Sequence, residues 1–141
     1  MIYCDTSLLV ASLTAEVGTA RAQRWLGAQD SGALCVSGWV VAEFSSALAI
    51  KLRSKALTDG QRADVMTHWR LMLADNLVMI PIPLTAYDLA ARFADRHALN
   101  IRAGDALHLA IASLAGLPLV TLDRVMAQAA VAVGVTVREV G

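Results

Sequence analysis

The 141 residues suit one domain with a sizeable core, and 12 basic against 12 acidic side chains leave no net field, so any nucleic-acid contact must be a local patch. Hydrophobic residues at 57% against 17% charged predict a sheet covered on both faces, or apolar surface given to a partner. No run of about 18 uncharged apolar residues is present, which excludes a membrane-spanning helix.

The chain opens on "MIYCD", without the basic flank and apolar stretch of a signal peptide, so a cytoplasmic protein is expected. Residues 2–4 read as a first strand, and residues 6–15 and 19–29 as short helices broken near Gly18. "ALCVS" (33–37) reads as a second strand. Residues 39–54 and 59–75 read as helices, with Thr58 placed to cap the latter. "LVMIPI" (77–82) reads as a third strand, and Pro81 marks it as an edge. Helical patterns cover 85–97 and 103–115, "LVTL" (119–122) is a fourth strand, and a helix covers 124–133. Gly134 signals that helix's end, before a fifth strand over 135–140.

This alternation predicts an α/β fold: a three-layer α/β/α sandwich around a central, mostly parallel five-stranded sheet, in one domain over 1–141. Cys4 and Cys35 lie in apolar strand-like runs without CxxC spacing, which reads as buried thiols.

Ligands of parallel sheets bind beyond the carboxyl ends of the strands. Asp5 closes the first strand and Asp123 the fourth. Asp105 opens the helix leading into the fourth, within "GDALHLA". Each carboxylate also suits a helix cap or a turn. Glu43 is the only charged residue between Asp30 and Lys51, on a helix whose neighbouring positions are apolar, so it needs a partner. A salt bridge would serve. Four carboxylates at one end of a sheet repel one another, and a divalent cation relieves that directly. The hydroxyls of Thr6, Ser7 and Thr121 lie beside them in sequence.

At these residues the sequence resembles the PIN-domain nucleases, and among them the VapC-like toxins of bacterial toxin–antitoxin pairs. The matching stretches are "IYCDTSLL", "VVAEFSSAL", "RAGDALHLA" and "VTLDRVMAQAA", which in order span nearly the whole chain. The resemblance implies an acidic quartet of Asp5, Glu43, Asp105 and Asp123. It would hold one or two magnesium or manganese ions and hydrolyse RNA phosphodiester bonds. Thr6, Ser7 and Thr121 match the polar positions beside the acids. The resemblance also implies a homodimer and a VapB-like antitoxin partner.

His108 shares a helical face with Asp105, and can touch substrate, orient a carboxylate or pack. Ten of the twelve basic residues are arginines. Arg102 and Arg124, beside two of the acids, suit phosphate contacts or local charge balance. Trp25, Trp39 and Trp69 sit in apolar helical patterns that favour packing over base stacking. A receiver-type domain would need a late lysine, and the only lysines are Lys51 and Lys55. A haloacid-dehalogenase-like phosphatase would need a second Asp where Ser7 stands. A PIN-like fold that binds RNA or protein without cutting should lack an acid, and all four are present.

Overall fold

The computed structural model describes residues Met1–Gly141. The strands are β1 (Ile2–Cys4), β2 (Leu34–Ser37), β3 (Leu77–Ile80), β4 (Leu119–Val120) and β5 (Val137–Arg138). They form one sheet in the order β3-β2-β1-β4-β5, every neighbour parallel. Tyr3 sits at its centre, paired with Cys35 on one side and Leu119 on the other. As Pro81 implied, β3 is an edge strand, and its Met79 is exposed.

The helices are α1 (Thr6–Leu13), α2 (Thr19–Gly27), α3 (Gly38–Arg53), α4 (Asp59–Asp75), α5 (Thr85–Asp95), α6 (Ala103–Ala115) and α7 (Arg124–Ala132). Right-handed crossovers send the connections β1→β2→β3 and β3→β4→β5 to opposite faces, which yields the three layers. Consistent with this, α1 packs on α2, α3 and α4, while α5 packs on α6. The apolar composition is spent on a core of 31 buried hydrophobic residues. Ala106 through Ala112 of α6 are all buried, so this helix is enclosed rather than amphipathic. Phe44 and Trp69 stack between α3 and α4 with ring centroids 4.3 Å apart. Trp25 is partly buried against the core.

Most elements fall where the sequence places them, and the differences have local causes. The second helix ends at Gly27, not residue 29. The fourth strand stops at Val120 rather than 122, because the chain turns there to send the Thr121 hydroxyl to Asp5. The fifth pairs only through Val137 and Arg138, not 135–140, since it meets β4 alone at the sheet edge. The third ends at Ile80, before Pro81, which cannot donate to a ladder. The helix expected over 85–97 ends at Asp95, where Arg96 leaves helical geometry (ψ 79°), and a 3-10 turn over His97–Leu99 follows. The first helix ends at Leu13, with the Thr14 hydroxyl bonded back to the Val10 carbonyl. Thr58 caps α4 in a reciprocal capping box with Gln61. Gly134, just past α7, takes the left-handed conformation at φ 84° that closes a helix. Cys4 and Cys35 are buried free thiols, and burial pushes the Cys35 thiol up to about 11. No helix is long and apolar enough to cross a membrane.

Candidate active site

The strand order reverses between β1 and β4, since β1 continues to β2 on one side and β4 to β5 on the other. The carboxyl ends of these two strands therefore open at the switch point where parallel sheets bind ligands. Asp5 follows β1 there. Although it stands at the head of α1, its carboxylate makes no cap bond to that helix. Oδ1 accepts from the Ser7 hydroxyl at 2.7 Å and Oδ2 from the Thr121 hydroxyl at 2.6 Å. Ser7 in turn accepts from the Leu122 N–H at 2.9 Å, and Thr121 from the Asp123 N–H at 3.0 Å. These hydroxyls tie the β1 and β4 ends together around one buried carboxylate.

Glu43 lies in the second turn of α3. Its Oε1 accepts from the Thr6 hydroxyl at 2.6 Å and from His108 Nε2. The partner its apolar helix demanded is therefore a hydroxyl and an imidazole. His108 is itself buried, and its Nδ1 lies 2.8 Å from the Tyr3 hydroxyl, which lies 2.9 Å from the Ser37 hydroxyl. Of the roles open to His108, this geometry matches support of a carboxylate and leaves the ring no access to solvent. Gly104 makes the close approach of α6 possible: a β-carbon there would sit 3.2 Å from both Glu43 Oε2 and the Trp39 ring. The Trp39 indole N–H is buried beside it without a partner.

The other two acids are held by backbone. Asp105 Oδ2 accepts from the Arg102 N–H at 3.2 Å, across the first turn of α6. Asp123 caps α7, its Oδ1 accepting from the Val125 and Met126 N–H groups at 2.9 and 3.1 Å. The capping role is thus real for Asp123, and it leaves Oδ2 free.

Burial and neighbouring groups shift three of the four acids. Burial pushes the Asp5 carboxyl above the ordinary range, although His108 and the Thr121 and Ser7 hydroxyls pull it back. Burial also raises Asp105, and the charges of Asp123 and Glu43 add to that rise. Glu43 goes the other way. Burial raises it, but the hydrogen bond and charge of His108 and the bond from Thr6 outweigh this and hold it below its usual value. No lysine or arginine forms an ion pair with any of the four acids. Arg102 and Arg124 are exposed and do not neutralise the cluster by direct pairing.

All four acids face the same end of the sheet, yet no three converge on a single point at ligating distance. Hydroxyls hold both oxygens of Asp5, while Glu43, Asp105 and Asp123 each keep one oxygen without a donor. The donor set still fits a hard cation. It consists of carboxylate and hydroxyl oxygens, no lysine or arginine is paired to it, and magnesium binds through one or two carboxylates plus water.

Two clefts meet this end. One, of 540 Å³, runs from Thr6, Ser7, Glu43 and Asp123 along the apolar side chains of Val10, Ala47, Ile50 and Leu122. The other, of 280 Å³, is bounded by Thr121, Asp123 and three arginines, Arg21, Arg124 and Arg138. None of the three is ion-paired. Sequence reasoning found Arg124 and missed Arg21 and Arg138, which only the fold carries to the same cleft. It also missed Tyr3 and Ser37, which read as strand core and strand end.

The sequence matches the PIN domain over residues 2–132. No curated protein matches it by sequence. Among solved structures it is similar to VapC20 of Mycobacterium tuberculosis, a sarcin-ricin loop cleaving toxin, at 20% identity and a TM-score of 0.74, covering 99% of this chain and 100% of that one. It is similar to FitAcB of Neisseria gonorrhoeae at 23% identity and a TM-score of 0.66, over 99% and 98% of the two chains. VapBC2 of Rickettsia felis, bound to a DNA fragment from its promoter, aligns at 16% identity and a TM-score of 0.61, over 87% and 89%. At these identities the likeness establishes a shared fold. With the family match over nearly its whole length, the parallel sheet and the acids at its carboxyl end, the chain belongs to the PIN domain family.

Proposed function

We propose that the protein is a divalent-cation-dependent endoribonuclease, the toxin of a VapBC-like toxin–antitoxin pair. The observation that carries this reading is a set of four carboxylates at one end of the sheet with no lysine or arginine paired to them. A purely structural cluster would be expected to carry such a counter-charge, because uncompensated buried carboxylates are costly. Asp5, Asp105 and Asp123 would hold magnesium or manganese, with Glu43 holding a second ion or orienting water. When bound, the cation neutralises charge on the phosphoryl group and makes water more acidic.

The chain's own residues do the rest. Ser7 and Thr121 fix both oxygens of Asp5 and so set its orientation at the ends of β1 and β4. Glu43 keeps Oε2 without a hydrogen-bond donor, available to orient the attacking water. The water oxygen bonds to phosphorus in line with the bond to the 3′ oxygen, which breaks. The products are a 3′-hydroxyl and a 5′-phosphate on the downstream fragment. Arg21, Arg124 and Arg138 line the cleft beside Asp123 and suit flanking phosphates, and Arg102 offers a further positive charge at the head of α6.

The partners follow from the same reading. Solved toxin–antitoxin complexes among the fold's neighbours support an antitoxin partner. A 390 Å³ apolar groove lined by Trp39, Tyr87, Ala90, Ala91, Ala94 and Leu107 suits a homodimer contact. The testing experiment compares RNA cleavage by the wild type and by Asp5→Asn with magnesium or manganese added. A loss of at least about 100-fold is expected in the variant. Equal cleavage by both proteins would refute the assignment.

A further inference from the structure

Apart from the acids, the most unusual buried group is the set Ser37, Tyr3 and His108, three polar side chains at 1% exposure or less within an otherwise apolar core. Enclosing them costs desolvation, and a buried polar chain earns its place only if every member is satisfied. Here the bonds run from one residue to the next and end on Glu43. Glu43 Oε1 also takes the Thr6 hydroxyl, and as a carboxylate oxygen it accepts, so His108 Nε2 is the donor in that bond. On the ring's other side Nδ1 lies 2.8 Å from the Tyr3 hydroxyl, itself 2.9 Å from the Ser37 hydroxyl, so the imidazole is held at both nitrogens.

We propose that His108, held by Tyr3 and Ser37, is a positioning residue for Glu43. With Thr6 it pins Oε1, and Oε2 is left as the free oxygen beside the bare backbone of Gly104. A relay that fixes one oxygen decides the direction of the other, as partners of active-site carboxylates and imidazoles do elsewhere. The role rests on Glu43 acting in the proposed hydrolysis, while the proton arrangement itself does not.

The test has two arms. Nitrogen-15 NMR of the imidazoles, with His108 assigned from the signals missing in His108→Gln, reads the protonated nitrogen without reference to activity. A proton on Nε2 is expected, and a bare Nε2 would overturn the proposal. The second arm is kinetic. His108→Ala should lower kcat by about 10- to 100-fold with KM little changed. His108→Gln should recover part of that loss, because its amide N–H2 reaches the place of Nε2. Thermal melts establish that both variants fold. A folded Gln variant no better than Ala, or an Ala variant as active as the wild type, would reduce His108 to packing. If the wild type cuts no RNA, the nuclease reading falls and the nitrogen shifts alone decide the relay.

Discussion

The two halves of the acidic site are built by different means. Asp5 and Glu43 are held by side chains from distant parts of the chain: Thr121 reaches Asp5 across 116 positions and His108 reaches Glu43 across 65. Asp105 and Asp123 are held by backbone N–H groups two or three residues away, at the heads of α6 and α7. The first half exists only in the assembled fold. The second is built into its helices. The fold thus sets one half centred on the buried Asp5 against a more open half, in which Asp123 is the most exposed of the four acids.

The sharpest way to break the buried half is Thr121→Val. It removes a donor to Asp5 and the acceptor for the Asp123 N–H while keeping the side chain's shape. We expect a loss of about 2 kcal/mol in urea unfolding, the cost of leaving buried polar groups unpaired. A change under about 0.5 kcal/mol would mean the clamp contributes no more than an ordinary surface contact does.

The open half answers to a paired substitution. Asp123→Ala should cost about 1 kcal/mol through loss of the α7 cap, whereas Asp123→Asn keeps a good cap and should leave stability nearly unchanged. Both should weaken cation binding, since both remove the charge. Equal destabilisation by Ala and Asn would show that the carboxylate's charge, not its cap bonds, holds α7.

The same contrast explains what the sequence made legible. The parallel order of strands and helices, and all four acids, follow from local pattern: apolar periods, and carboxylates where strands end and helices begin. The positions of β3 at an edge and of Thr58 as a cap were equally local. What escaped were partnerships across the fold. Tyr3 reads as an ordinary buried strand residue in "IYC", and nothing within 30 residues announces that its hydroxyl meets Ser37 and His108. The ends of β4 and β5 escaped for a related reason. Thr121 has strand propensity, but its hydroxyl is committed to Asp5, and β5 has one neighbour to pair with. Arg21 and Arg138 share a cleft with Arg124 only because the first turn of α2 and the end of β5 lie beside the β4 terminus.

The central claim, a carboxylate site organised around Asp5 that takes a divalent cation, is tested most directly by calorimetric titration of manganese into the wild type and Asp5→Asn at several pH values. The raised pKa values of Asp5 and Asp105 set the sign. Their protonated forms persist to higher pH than for free carboxyls, so the proton competes with the cation, and affinity should fall as pH drops through those values. The account predicts binding by the wild type that strengthens from acid to neutral pH, and binding at least about tenfold weaker in Asp5→Asn. Equal affinities in the two proteins, or no manganese binding by the wild type at neutral pH, would contradict it.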